Sequence, residues 1–359
     1  MGLLRLYSKV TFTKATKETF IFRNYTAGME WDGGIEDLTD TFKISFPKAG
    51  KWEGKDLFAG SAPIFEVGDQ IKVEVGYYPN LYEVFDGWVS AISAKIPVEI
   101  TCEDDMWLLK NTNVTYPDKA NINTVVISKK NGEPSKRTKT ISPNITLKEL
   151  LDNILPADID YTDDTVDVNL GQFRVSNASV AKVLDVLRDK YGLYSYFVDH
   201  KLHCGLAYNA ATTTTYKYVF DRVAPNAVID DGNLEYQLSK DISVKVVAKL
   251  MGLNNTFEEV TVGDTDGAQR SLHFFWDGVT LPKPDIKKLA ETELTSTRYD
   301  GFRGSFTTFG YYPIKPGDIA ELSDPTLPER DGKYLVKNVK GSVTMEGYRH
   351  EITLGNKVG

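Results

Sequence analysis

The sequence is poor in the residues on which catalysis, metal binding and export usually depend. Its 359 residues include 2 cysteines and 4 histidines. Cys102 and Cys204 lie far apart, each in a strand-like segment, so no disulfide framework holds the fold. No run approaches the roughly 18 consecutive apolar residues of a membrane-spanning helix. The start, Met1-Gly2-Leu3-Leu4-Arg5-Leu6, alternates like a strand and does not read as a signal peptide. Position 6 also lacks the Ser or Thr of a myristoylation pattern. Basic charge is scarce: Lys and Arg number 42 against 50 Asp and Glu, a formal net charge of −8. Such a chain has no cationic surplus with which to neutralise phosphates and release counterions, so specific nucleic-acid binding is not expected. The Gly-x-Gly-x-x-Gly dinucleotide motif, the Gly-x-x-x-x-Gly-Lys-Ser/Thr phosphate loop and the Gly-x-Ser-x-Gly nucleophile elbow are all missing. These absences describe a protein made and kept in the cytoplasm until any assembly is released.

What is present favours strands. The chain carries 19 Tyr and 17 Phe with many Val, Ile and Thr, and its 41% hydrophobic and 26% charged content suits a globular protein of two or three domains. Residues 1–104 read as successive strands at Leu4–Thr13, Glu18–Asn24, Thr41–Pro47, Gln70–Tyr77, Tyr82–Ala94 and Pro97–Cys102, with Gly33-Gly34 and Pro79-Asn80 as separators. The alternation of Phe42, Ile44 and Phe46 predicts one buried face, and closing the sheet into a barrel hides its edges. Residues 105–228 read as a small α+β module. It opens with a basic hairpin about Asn131-Gly132 carrying Lys129, Lys130, Lys136, Arg137 and Lys139. Helices are predicted over Leu147–Leu155, with Leu147, Leu150, Leu151 and Ile154 on one stripe, and over Ser179–Tyr191, with Gly192 as its C-cap. Residues 229–359 turn to strands again, interrupted by one helix over Asp285–Thr297.

One pattern occurs twice. Val67-Gly68-Asp69 leads into Gln70–Val75, then Phe85-Asp86-Gly87-Trp88-Val89, then Val98-Glu99-Ile100-Thr101. Pro316-Gly317-Asp318 leads into Ile319–Leu322, then Gly332-Lys333-Tyr334-Leu335-Val336, then His350-Glu351-Ile352-Thr353. From Asp69 to Glu99 is 30 positions, and from Asp318 to Glu351 is 33. In each, Gly-Asp supplies a positive-φ turn that launches an alternating strand. Two copies of a barrel in one chain suggest that a few subunits stand in for twice as many.

Candidate sites are few. His200, His203 and Cys204 raise a metal question, but a strand sends His200 and His203 to opposite faces and no second ligand pair has finger spacing. Asp158, Asp160, Asp163, Asp164 and Asp167 read either as a cation loop or as a solvated turn; the Gly and trailing Glu of a calcium loop are missing. Asp264-Thr265-Asp266-Gly267 reads as a β-turn. The basic hairpin suits either an acidic neighbour or a protective charged edge, and Trp31, Trp52 and Trp88 suit either an interface or a barrel core. Paired carboxylates for glycoside hydrolysis are a matter of spatial separation, which spacing along the chain does not give. No catalytic, cofactor-binding or metal residue is assigned.

The order barrel, α+β module, barrel resembles the baseplate hub proteins of contractile-tailed phages and related injection machines, including the late-control-D proteins and the N-terminal part of VgrG spike proteins. The segments that carry the resemblance are Asp37–Pro47, Phe85–Val89, Phe173-Arg174-Val175 leading into Val180–Leu193, and Pro316-Gly317-Asp318 through Ile352-Thr353-Leu354-Gly355. The resemblance implies a mainly β chain in which two related tube-type barrels flank a small α+β module. It implies a homotrimer whose six barrels form a pseudo-hexameric ring. One side of that ring would meet a hexameric tail tube protein, and the other a trimeric central spike among other baseplate proteins. It further implies a place in the virion tail baseplate, assembled in the bacterial cytoplasm, without enzymatic activity, and a lumen whose acidic residues repel passing DNA. Because the sequence given stops just after the last barrel strand, any spike or hydrolase is expected on a separate chain. A tail-associated peptidoglycan or glycan hydrolase is the alternative from another class. A secretin-like ring module, suggested by the strand-helix-strand pattern over Val175–Phe197, is a third.

Overall fold

A computed structural model describes residues 5–24, 28–47, 51–52, 55–57, 64–117, 124–129, 135–138, 145–162, 168–205, 214–221, 224–252, 257–276, 283 and 285–358. The chain is mainly β and divides into two compact units. One comprises residues 1–107, 212–235 and 303–359; the other comprises 108–211 and 236–302. Set beside the three segments expected from sequence, 1–104, 105–228 and 229–359, both terminal segments contribute to one unit together with residues 212–228, and residues 236–302 fall with the middle segment. The reason lies in hydrogen bonding: strands Val244–Gly252, Phe257–Gly263 and Ala268–Trp276 form a sheet of their own and do not join the large one.

The first unit is built on a 13-stranded sheet. Its strands are β1 (Leu6–Thr13), β2 (Thr19–Arg23), β3 (Gly28–Gly34), β4 (Thr41–Phe46), β5 (Gln70–Tyr77), β6 (Tyr82–Ile92) and β7 (Val98–Glu103) from the first segment. The later chain adds β8 (Thr215–Val219), β9 (Val228–Gln237), β10 (Gly301–Phe309), β11 (Ile319–Ser323), β12 (Gly332–Thr344) and β13 (Gly347–Lys357). Period-2 alternation sends one side of each strand inward, as in β4, where Phe42, Ile44 and Phe46 are buried and Lys43 is exposed. Phe12, Phe22, Phe46 and Phe65 meet with ring centroids 4.5–6.4 Å apart, and Phe42 stacks on Phe85 at 5.2 Å. Each buried phenyl ring stabilises the fold by about 1.5–3 kcal/mol relative to exposure. In the later strands Tyr218, Phe306, Ala320, Leu322, Tyr334, Val336 and Ile352 are all nearly inaccessible, and Tyr218 meets Phe306 with ring centroids 5.1 Å apart.

In the second unit, Leu147–Ile154 forms α1, closed by a capping box between Thr146 and Glu149, and its predicted stripe is buried. Val180–Tyr191 forms α2, capped by the Ser179 side chain and ended by Gly192 at φ 67°. Ile286–Thr297 forms α3, whose Ile286, Ala290 and Leu294 pack with Val244, Val246, Ala248 and Leu250. The strand Val244–Gly252 is central to its three-stranded sheet, antiparallel to Phe257–Gly263 and parallel to Ala268–Trp276. The predicted hairpin pairs Thr124–Lys129 with Ser135–Thr138.

Candidate assembly surface

The sequence repeat is a structural repeat. The first copy runs β3-β4-β7-β6-β5-β1 across the sheet, and the second runs β9-β10-β13-β12-β11-β8. Gly68 and Gly317 adopt φ 95° and 92°. The Gly68 N–H donates to the Val89 carbonyl and the Val89 N–H to the Asp69 carbonyl, both at 2.8 Å. Gly317, Val336 and Asp318 repeat both bonds at the same length. Asp69 Oδ2 accepts from the Glu66 N–H, and Asp318 Oδ2 from the Lys315 N–H, each at 2.8 Å. Burial raises the pKa of both carboxyls. One residue beyond the valine each copy bulges, since Val89 and Ala91 face Cys102 and Thr101 while Val336 and Asn338 face Leu354 and Thr353. The copies differ at one place: β1 runs antiparallel to β5, whereas β8 runs parallel to β11.

The two copies join within the chain. Asn338–Val343 of β12 pairs with Met29–Gly34 of β3, in antiparallel register from Asn338 opposite Gly34 to Val343 opposite Met29. Side chains lock this seam. Asn338 Nδ2 donates to Asp32 Oδ1 at 2.8 Å and to Asp37 Oδ2 at 3.2 Å, and Lys337 pairs with Glu36 at 2.5 Å. Trp31 lies over Gly341, where an added Cβ would sit 1.9 Å from the indole, and it contacts Tyr348 and His350 at 5.8 and 5.9 Å. His350 is buried and shares a 3.0 Å hydrogen bond with the Tyr348 hydroxyl; burial pushes its pKa down to about 4. Gly33 and Gly34 leave room for the carboxyls of Asp40 and Asp37, which would lie 2.7 and 2.6 Å from added Cβ atoms. Burial pushes the Asp40 carboxyl up to about 7, opposed by the Gly34 N–H and aided by repulsion from Asp37 and Asp32. Buried Asp104 is raised well above the usual range for the same reason, with Asp40 adding repulsion.

On the polar side of the sheet this seam forms a shallow 470 Å³ recess lined by residues of β3, β4, β10, β12 and β13, including Glu30, Asp32, Lys43, Lys340, Arg349 and Glu351. Three acids and three bases there make a charge-balanced surface.

No protein-family model matches the sequence, and no curated protein matches it. Solved structures do. The tail protein of Neisseria meningitidis MC58 is similar over 98% of this chain and 96% of its own, with TM-score 0.58 and 14% identity. The prophage MuSo2 43 kDa tail protein of Shewanella oneidensis covers 97% and 98%, at 0.56 and 13%. Prophage tail protein gp18 of Listeria monocytogenes EGD-e covers 98% and 95%, at 0.53 and 10%. The chain has the phage tail-protein fold.

Within this tail-protein fold the sequence-predicted site residues disperse. His200 sits with Asp199 at positive φ in the turn joining Tyr194–Val198 to Lys201–Gly205. Buried His203 faces Thr162 Oγ1 at 3.3 Å and Tyr196 at 4.7 Å. The Cys204 thiol, pushed up to about 11 by burial, accepts from Ser195 Oγ. Asp158 pairs with Lys129 at 2.8 Å, and Asp264 pairs with Arg298 and heads a turn closed by Gly267. Among the described residues no three His, Cys, Asp or Glu side chains group as a metal site. Trp31 borders the core, whereas half-buried Trp88 stacks on Trp107 at 5.9 Å and donates to Asp105 at 2.9 Å. Lys130, Asn131, Gly132, Lys139, Asp163, Asp164, Asp167 and the side chains of Trp52, Lys136 and Arg137 lie outside the described residues. Sequence reasoning missed Asp32, Asp40 and Asn338; the one local sign was Gly33-Gly34, read there as a turn, where the structure brings the Asp40 and Asp37 carboxyls close.

Proposed function

We propose that this chain is a structural baseplate hub of a phage tail or a phage-like injection machine. Three copies would close a pseudo-hexameric ring in which each contributes two tube-type barrels, on either side of a middle module. One face of that ring matches a six-fold tail tube and the other a three-fold spike. The observation that carries this reading is the strand-for-strand repeat fused into one sheet at the seam of β3 and β12. A chain that already joins two such units edge to edge needs only the same kind of join between copies to close a ring, and closure hides heterologous surfaces that would otherwise polymerise. The resemblance of the segments quoted above and the likeness to tail proteins support the same role. The partners would be the tube hexamer, the spike trimer and other baseplate proteins, and the site of action the virion tail after assembly in the bacterial cytoplasm. No cofactor is invoked, and the acidic balance would keep DNA from adhering to the lumen. Electron-microscopy class averages of the purified protein should contain rings with an open centre and six peripheral densities. Averages of compact particles without a pore would refute the proposal.

A hydrolase remains the second reading because of one observation, the perturbed carboxyls of Asp40 and Asp104. Their backbone partners, Gly34 and Met106, give them a structural role instead. Clearing of a peptidoglycan zymogram by wild type but not by Asp40→Asn would favour catalysis.

A further inference from the structure

Among the described residues one seam is complete, and the strands equivalent to its two halves face no further strand on that side. In the complete seam, β3 of the first copy covers the edge of β12 that begins just past the bulge at Lys337. The counterpart of β12 is β6, which carries the same bulge at Ser90. Its partner β5 stops pairing at Trp88, so beyond the bulge Ala91 and Ile92 face β7 on one side and no strand among the described residues on the other. The counterpart of β3 is β9, which among the described residues ends the sheet, paired with β10. It is a ten-residue strand without proline or lysine, exposed from Ile229 through Asn233. An edge of that length offers a row of backbone N–H and C=O groups to a further strand.

In the complete seam Lys340 of β12 lies 3.7 Å from Asp32 of β3. In the open halves β9 carries Asp230 and Asp231, which a strand sends to opposite faces, and exposed Lys95 lies in the turn after β6. We infer that β9 of one copy adds antiparallel to the Ala91–Ser93 edge of β6 in the next, continuing the sheet from chain to chain. This rests on the ring reading above and names the strands that close it. The β6–β7 hairpin turns early, with Ser93 N–H donating to the Glu99 carbonyl, whereas β12–β13 runs on to Thr344 and Gly347. The seam between copies is therefore shorter than the one within the chain, and the ring opens there first.

Cysteine crosslinking tests the pairing. Ala91→Cys is combined in turn with Asn233→Cys, Leu234→Cys and Glu235→Cys, three neighbouring choices that cover the register; native Cys102 and Cys204 are buried and do not compete. After oxidation, at least one double variant should give covalent dimers and trimers on a non-reducing gel, and the single variants none. If the wild type is trimeric by mass and no double variant crosslinks, this inference fails while the ring stands. Crosslinking of a single variant to itself would indicate a two-fold contact and overturn it. A wild type that is monomeric at every concentration removes the ring and this inference together.

Discussion

Replacing Gly341 with alanine should cost more than any exposed glycine substitution in the chain, because the Trp31 indole occupies the space. An added Cβ would lie 1.9 Å from Cε2 and 2.0 Å from Cζ2, about 1.5 Å inside ordinary contact. The indole has little freedom to retreat, since Tyr348 and His350 hold its other side and Trp31 is itself paired across the seam with Gly341. Overpacking of this kind costs about 1–3 kcal/mol. For a unit of this size that corresponds to a fall in Tm of roughly 2–4 °C per kcal/mol. Trp31→Phe should by itself destabilise through lost packing, yet in the double variant the smaller ring makes room for the new methyl. A double-mutant cycle by urea unfolding should then give a favourable coupling of about 1 kcal/mol or more. A neutral Gly341→Ala, or a double variant whose cost is the plain sum of the singles, would refute the packing described for the seam.

Three further outcomes follow from the same geometry. Alanine at Gly68 or Gly317 should cost a similar ~1–2 kcal/mol, because both sit in the left-handed region and neither lacks space for a methyl group, which thermal unfolding of the pair would check. Asp40 protonates near pH 7 when folded and near 3.8 when unfolded, so the folded state binds the extra proton between those values and stability falls as pH rises across them. Asp40→Asn should remove that slope and stabilise the protein at pH 8 by an order of ~1–2 kcal/mol, allowing for its partial exposure. His350 works the other way: the unfolded chain takes up a proton near 6.5 and the folded one only near 4, so stability is lost as pH falls through that window. His350→Gln should abolish this acid loss, and since the two slopes oppose each other in the wild type, each variant should expose the other in pH-dependent urea midpoints.

Local chemistry made much of the fold legible. The alternation in Phe42, Ile44 and Phe46, the Gly-Asp turns and the helix caps at Gly192 and Asp285 all depend on neighbours in sequence, and each appears where the pattern puts it. The strand Gly28–Gly34 escaped notice because Gly33-Gly34 reads as a turn; only the carboxyls of Asp37 and Asp40, folded back onto it, explain why glycine stands there. Thr215–Val219 was missed behind a run of threonines. The seam pairs Asn338 with Gly34, and nothing local to either residue announces a partner some 300 positions away. The placement of residues 236–302 was obscure for the same reason, since sheet membership is settled by long-range hydrogen bonds.

The central claim is that two barrel units per chain assemble threefold. Sedimentation equilibrium of the intact protein measures this directly. A chain of 40.2 kDa should give a species of about 120 kDa at micromolar concentration. A single species at the mass of one chain across the accessible range, or one that is dimeric, would contradict it.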